Sequence, residues 1–267
     1  MRLGGNHMTL SSELARIPGH VGLYAKNLDT QKIIAWHESE VFASASLIKV
    51  PILAELFRRV EEEGLNLDET LTLHQEDQVP GSGVLKDLTT GTRYPLRDLA
   101  TLMITVSDNT ATNLLIDYLG IEPVNALIRR LGLLHTALER RLERVPVQRR
   151  LLNRTTAYDM TRLMELIAQG QVIAVAASSR MVDLLARCQA PQALAPFARE
   201  APYIGSLPPI RVAHKTGSLA QARHDSGIIY TQKGVLVATI MTEGAPESVL
   251  QKHLYRIGRA LYSQLSR

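Results

Sequence analysis

One cysteine, Cys188, stands in 267 residues, so no disulfide framework within the chain can organise the fold, and the cysteine count does not choose a redox compartment. Aromatic residues make up only 4% of the chain, which excludes the rows of Tyr, Phe or Trp on which single-stranded nucleic acid or sugars stack. The longest apolar segments, such as that from Gly234 to Met241, fall far short of a membrane span. Internal repeats and low-complexity tracts are lacking too. The histidines show neither H-x-x-x-H nor H-E-x-x-H spacing, which argues against a metal site; His214 and His224 read as local hydrogen-bonding residues. The opening MRLGGNHMTLSSELARIPG has no continuous apolar stretch and no small-residue cleavage site, so it does not read as a signal peptide. A cytoplasmic protein is expected if the sequence is complete, and a periplasmic or extracellular one if a leader has been removed.

What is present is an ordinary globular composition, 45% hydrophobic and 21% charged, which excludes a disordered tail or a fibre. The length suits one large domain or two modest ones. The net charge of +4 is a mild basic bias that does not by itself imply nucleic acid. Between Arg129 and Arg154 eight arginines accompany Glu139 and Glu143. This reads as a solvated loop, with attraction of an anionic substrate or polymer as the alternative. Cys188, in an apolar stretch, reads as a core residue.

Two β-rich runs, His20 to Leu28 and Lys32 to His37, form a hairpin around Asp29-Thr30-Gln31. Three more, Arg211 to Thr216, Ser226 to Thr231 and Val235 to Thr242, lie near the carboxyl end. Between them the spacing of apolar residues predicts helices over Leu47 to Glu63, Leu96 to Val106, Thr110 to Leu119 and Glu122 to Leu131, and one opened by Thr156-Ala157-Tyr158-Asp159 as a capping box. Glu247 to Leu265 is helical again. Neither strand group makes a dependable sheet alone, so the two are expected to join. The fold expected is α+β: a five-stranded antiparallel sheet flanked by terminal helices, with an inserted all-helical subdomain. Residues 1–40 and 195–267 make the sheet part, residues 41–194 the helical part, and the active site lies in the cleft between them.

Three motifs carry chemistry. Ser46-Leu47-Ile48-Lys49 is the only S-x-x-K in the chain, at the mouth of a helix that is apolar on nearly all sides. Serine and lysine three apart share a face; burial can lower the lysine pKa so that Lys49 takes the Ser46 proton, while helix-terminal N–H groups face the developing oxyanion. The bland alternative is a helix cap and a surface lysine. Ser107-Asp108-Asn109 interrupts the buried sequence ITVSDNTATNLL; it is either an N-cap or a site in which Ser107 relays protons and Asn109 holds substrate. His214-Lys215-Thr216-Gly217-Ser218 ends a strand, and Lys215 with the Thr216 hydroxyl can bind a carboxylate where Gly217 permits close approach; otherwise it is a turn.

Together and in this order, with FASASLIKVPIL, VPGSGVL, VAHKTGSL and RHDSGIIYT around them, these motifs resemble the serine β-lactamase and penicillin-binding protein superfamily, and the chain is similar to class A β-lactamase-like serine hydrolases over nearly its whole length. The resemblance implies an acyl-enzyme on Ser46 and an oxyanion hole from the backbone N–H groups of Ser46 and Ser218; no cofactor is expected, and the histidine spacing gives no metal site. It implies Ser46, Lys49 and Ser107 as catalytic residues, and Asn109, Lys215, Thr216 and Ser218 as substrate-binding ones. Class A enzymes deacylate through a glutamate in an E-x-x-L-N pattern, and none occurs in TALERRLERVPVQRRLLNRTTAYDM. Glu143 is the candidate base and Glu139 the second. The substrate expected is a small-molecule β-lactam or a peptidoglycan-like peptide, acted on by a monomer with no nucleic-acid partner. The alternatives are a penicillin-binding DD-peptidase or esterase-like acyl transferase with slow deacylation, and an inactive member that binds peptidoglycan fragments or a partner.

Overall fold

The two strand groups from opposite ends of the chain meet in one sheet. The computed structural model describes residues 10–142, 152–191, 193–194, 210–232 and 234–265. In chain order the elements are α1 (Leu10–Leu14), β1 (His20–Asn27), β2 (Ile33–Trp36), β3 (Phe42–Ala43), α2 (Lys49–Glu63), β4 (Thr70–Thr72), β5 (Arg93–Pro95), α3 (Leu96–Thr105), α4 (Asn109–Leu119), α5 (Ile121–Arg130), β6 (Arg154–Thr155), α6 (Ala157–Ala168), α7 (Val175–Ala186), β7 (Ile210–Leu219), β8 (Ala222–Thr231), β9 (Gly234–Glu243) and α8 (Glu247–Leu265). The main sheet runs β2-β1-β9-β8-β7, and every pairing in it is antiparallel.

Both faces of this sheet are covered, and period-two alternation sorts its side chains between two cores. Leu236, Ala238 and Ile240 of β9 join Leu23 and Ala25 of β1 in a cluster with Leu250, Leu254, Ile257 and Leu261 of α8. Val237 and Met241, on the other face of β9, enter the cluster built by the helices. At the centre of the helical layer is α2, buried from Lys49 to Phe57 and packed against α3, α4, α5 and α7. Pro51 falls within its first turn, where no backbone N–H is required.

The C-terminal hairpin is longer than its sequence pattern suggests. Its first two strands extend through Leu219 and from Ala222, so Gly217 and Ser218 are strand residues rather than a turn. Alternation fails across this stretch because both faces are buried and polar groups are satisfied one by one: His224 Nε2 bonds the Ala43 carbonyl at 2.9 Å, and Asp225 accepts the N–H of Ala193 at 2.6 Å. The capping box forms by half. Thr156 Oγ1 accepts the Asp159 N–H at 3.0 Å, but the Asp159 carboxylate turns to His135 N and Thr136 Oγ1, both at 2.8 Å. Cys188 is partly exposed just beyond α7 and is not a core residue.

Burial of α2 anchors everything that follows it. Replacing the fully buried Leu53 by Ala is expected to lower unfolding stability by about 2–5 kcal/mol in a urea titration, with an unchanged m-value.

Candidate active site

Ser46 lies in a 3₁₀ turn, Ala45–Ile48, that runs directly into α2. The helix therefore begins at Lys49 rather than Leu47, and the three-residue repeat of the 3₁₀ turn brings Ser46 and Lys49 into line. Ala45, at the turn's start, has φ +46°, unusual for a residue with a Cβ. Strand β7 runs close beside this turn: a Cβ on Gly217 would meet Ala45 Cβ at 3.1 Å and the Ser44 carbonyl oxygen at 3.3 Å. Only glycine lets the two backbones approach this closely without displacement. Ser46 and Ser218, the expected oxyanion-hole pair, are thereby carried on adjoining segments.

Lys49 is fully buried, and all three of its N–H donors have acceptors: the Ser107 carbonyl oxygen at 2.7 Å, Ser107 Oγ at 3.0 Å and Asn109 Oδ1 at 2.9 Å. Lys215, also fully buried, donates to the same Ser107 Oγ at 3.1 Å and to the Thr216 carbonyl oxygen at 2.9 Å. One hydroxyl thus bridges two lysines drawn from α2 and β7. Burial pushes Lys49 well below the ordinary lysine range, and the Lys215 charge lowers it further, with Asp108 opposing. Burial also pulls Lys215 down to about 8, against the raising influence of Cys188 and Asp225.

The bridging serine sits in the link between α3 and α4 with φ +56°. Asp108, the N-cap of α4, holds it there: Oδ1 accepts the Ala111 N–H at 2.9 Å, and Oδ2 accepts those of Val84 and Leu85 at 2.7 and 2.8 Å. The latter two belong to the VPGSGVL loop. Gly83 in that loop has φ +104° and lies so close that a Cβ would fall 2.3 Å from the Asp108 carboxylate. Asn109 completes the strap, with its N–H on the Ser82 carbonyl at 3.0 Å and Nδ2 on the Pro80 carbonyl at 3.2 Å.

The two candidate bases fare differently. Glu143 lies outside the described residues. Glu139 is exposed, and its carboxylate is ion-paired with Arg154. The flanking chain is pinned at two places: Asn153 Oδ1 accepts the N–H groups of Glu139 and Arg140 at 2.8 and 3.0 Å, and the Asn113 side-chain amide clasps Leu142 through both its N–H and its carbonyl, at 2.8 and 2.7 Å. Ser218 turns its hydroxyl outward to Glu247 Oε1 at 2.9 Å, where Arg223 also binds it. Thr216, nearly buried, neighbours Lys215.

Structure therefore brings together Ser46, Lys49, Ser107, Asn109, Lys215, Thr216 and Ser218. Sequence reasoning named Asp108 only within the Ser107-Asp108-Asn109 motif, whose N-cap reading the structure bears out, and did not single out Asn113 or Asn153. The one signal for Asn113 was an amide placed mid-helix in TATNLL, which needs a partner when buried.

Comparison with known proteins agrees with this geometry. The β-lactamase of Proteus vulgaris is 34% identical over 103 residues, 38% of this chain and 34% of that protein. A β-lactamase of Rhodobacter capsulatus is 32% identical over 46% of this chain and 43% of its own length, so the matched chain spans well under two thirds of either curated relative. Among solved structures, the β-lactamase of Sphaerobacter thermophilus superposes with a TM-score of 0.88 at 30% identity, over 96% of each chain. PBP-A superposes at 0.84 and 30% identity over 96% of this chain and 93% of its own. The five-stranded sheet with its inserted helices is the β-lactamase and transpeptidase fold. Residues 8–265 match the model of the beta-lactamase enzyme family, and the chain belongs to that family.

Proposed function

We propose that this protein is a class A-type serine β-lactamase, acylated on Ser46 by the carbonyl of a β-lactam and freed by water. The observation that carries the reading is the convergence of Lys49 and Lys215 on Ser107 Oγ. A neutral Lys49 has two N–H donors and one lone pair, so it can keep two of its three present bonds, release the third acceptor and turn its lone pair to the Ser46 hydroxyl to take the proton. Ser46 Oγ then bonds the lactam carbonyl carbon. Negative charge collects on the carbonyl oxygen, facing the backbone N–H groups of Ser46 and Ser218. As the C–N bond breaks, Ser107 passes its proton to the departing nitrogen and is resupplied by Lys49, to which it is already bonded. Lys215 and Thr216 receive the substrate carboxylate, and Asn109 Nδ2 exchanges its bond to Pro80 for a substrate carbonyl. We divide the chain into residues 1–40 with 195–267 and residues 41–194, a reading supported by the meeting of Lys49 and Ser107 of the second part with Lys215 of the first. Acylation by β-lactams is documented among its neighbours: a PBP-A variant, 28% identical with a TM-score of 0.81, is an acyl-enzyme complex with penicillin G.

For deacylation we assign the base to Glu143. Glu139 is engaged by Arg154, whereas Glu143 directly follows Leu142, whose backbone is clasped by the helix that carries Asn109. A second reading, a penicillin-binding acyl transferase with slow deacylation, draws on the same ion pair: without Glu143 in reach, no described carboxylate of this loop is free to activate water.

Four measurements test the assignment. Ser46→Ala should abolish covalent labelling by penicillin in intact-mass spectra; persistent labelling moves the nucleophile elsewhere. Lys215→Ala should raise KM for carboxylate-bearing β-lactams about 10- to 100-fold, the worth of one charge-assisted hydrogen bond, and change labelling by a neutral ester less. Because Lys215 is charged only below about 8, wild-type KM for carboxylate substrates should rise as pH climbs through that value and stay flat below it. Glu143→Gln should acylate rapidly and accumulate the penicilloyl adduct, turning nitrocefin turnover into a burst. Unchanged turnover transfers the base to another group, and a wild type that already stalls favours the acyl-transferase reading.

A further inference from the structure

Arg211 and Lys215 are four strand residues apart on β7 and so face the same side of the sheet, but Arg211 borders a different recess. This groove, of about 400 Å³, opens where the end of α6 and the first turns of α7 lie over the sheet. Ile167 of α6 and Val175 and Val182 of α7 give it apolar walls, and Val175 is 70% exposed. Arg211 and Tyr230, directly opposed across β7 and β8, close it on the sheet side.

Two features distinguish the groove from a gap in packing. Ser178, in its lining, is only 2% exposed, and its Oγ is covered yet has no hydrogen-bond partner. The Ser178 N–H holds the Ala174 carbonyl at 3.0 Å, but the hydroxyl does not fold back on that carbonyl, the usual resort of a covered serine within a helix. A buried hydroxyl left without a partner costs free energy, which a polar group entering the groove recovers. The second feature is an ion pair that joins helix to strand across the lining: Arg211 Nη2 donates to Asp183 Oδ1 at 2.7 Å, and both side chains are exposed. Such a pair contributes little to stability, so exchanging its partners costs little. It sets a cation and an anion side by side next to an apolar recess.

The geometry points to a binding site for a free α-amino acid whose aromatic side chain has a polar edge. The ligand carboxylate meets the Arg211 guanidinium and its ammonium meets Asp183, so each protein charge exchanges one opposite partner for another. The ring lies against Ile167, Val175 and Val182, and its polar edge supplies the partner that Ser178 Oγ lacks. A plain carboxylate would take Arg211 and leave Asp183 alone, and a plain amine would do the reverse. The volume is that of a small-molecule site. None of these residues belongs to the acyl-transfer machinery, and the assignment does not rest on the β-lactamase reading.

The probe is L-tryptophan, whose indole N–H can donate to Ser178, titrated into the whole ¹⁵N-labelled protein while backbone amide shifts are followed by NMR. Saturable shifts centred on residues 167–183 and on Arg211 and Tyr230 are expected. Indole-3-propionate, without the ammonium, and tryptamine, without the carboxylate, should each bind about tenfold more weakly, and Arg211→Gln should cost tryptophan about as much. Ser178→Ala should weaken tryptophan about fivefold and leave phenylalanine, whose ring has no N–H, unchanged. Shifts centred on Ser46 and Ser107, no saturation up to about 20 mM, or unaltered affinity in a folded Arg211→Gln variant would overturn the site. Indole-3-propionate binding as tightly as tryptophan would overturn the amino-acid assignment. If Arg211→Gln does not fold, Asp183→Asn at its exposed position decides instead: it should weaken tryptophan about tenfold and spare indole-3-propionate, and equal affinities for tryptophan in variant and wild type sink the proposal.

Discussion

Two lysine side chains, both without solvent contact, share one serine hydroxyl, and this is the constraint on which the rest of the site depends. Two ammonium groups so placed repel each other in a medium that screens poorly, so the pair sheds charge most readily by losing one proton. Burial and the facing Lys215 both push Lys49 down, while Lys215 is partly supported by Cys188 and Asp225. The asymmetry assigns roles. On the proposed reading, Lys49 is the group that becomes a neutral amine to serve Ser46, and Lys215 is the one that keeps its proton for an anion.

Such an arrangement costs folding free energy, and the surrounding structure shows how it is held. Ala45 and Ser107 both adopt left-handed backbone without being glycine, a conformation that costs of order 1–3 kcal/mol each and persists only when neighbours over-determine it. Asp108 does this for Ser107 by spending both carboxylate oxygens on backbone N–H groups of α4 and of the VPGSGVL loop. Gly217 does it for Ala45 by letting β7 lie against the turn. Positioning comes from the sheet on one side and from α2 and α4 on the other, so the site is only as rigid as the packing between them.

That division explains what could be read in advance. Lys49, Ser107 and Lys215, which the structure brings together, and Ser46 beside them could be picked out because each is a polar residue lodged in apolar sequence, and because their motifs recur in a known superfamily. The wider roles of Asp108, Asn113 and Asn153 could not, since each looks locally like an ordinary cap or loop residue and its long-range partners lie 13 to 29 positions away. The sheet was predicted from two weak strand groups and found whole, but the extension of β7 and β8 past Thr216 left no periodic trace because His224 and Asp225 are satisfied on opposite faces by Ala43 and Ala193. Asp159 looked like half of a capping box because spacing reveals a possible donor and acceptor, whereas the competing His135 and Thr136 are set by the fold.

The alternation of β7 also ties two charge systems together. Successive strand residues point to opposite faces, so His214 and Lys215, adjacent in sequence, address different surroundings. Lys215 reaches Ser107, and His214 reaches Asp225. Burial alone would drive Lys215 further below the ordinary lysine range; the negative charges of Cys188 and Asp225 are what leave it near 8, protonated for the most part at neutral pH. A charged lysine in so dry a position thus depends on acidic groups gathered around its neighbour, and the same strand that lays Gly217 against the Ala45–Ile48 turn carries that dependence from the far side of the sheet to Ser107.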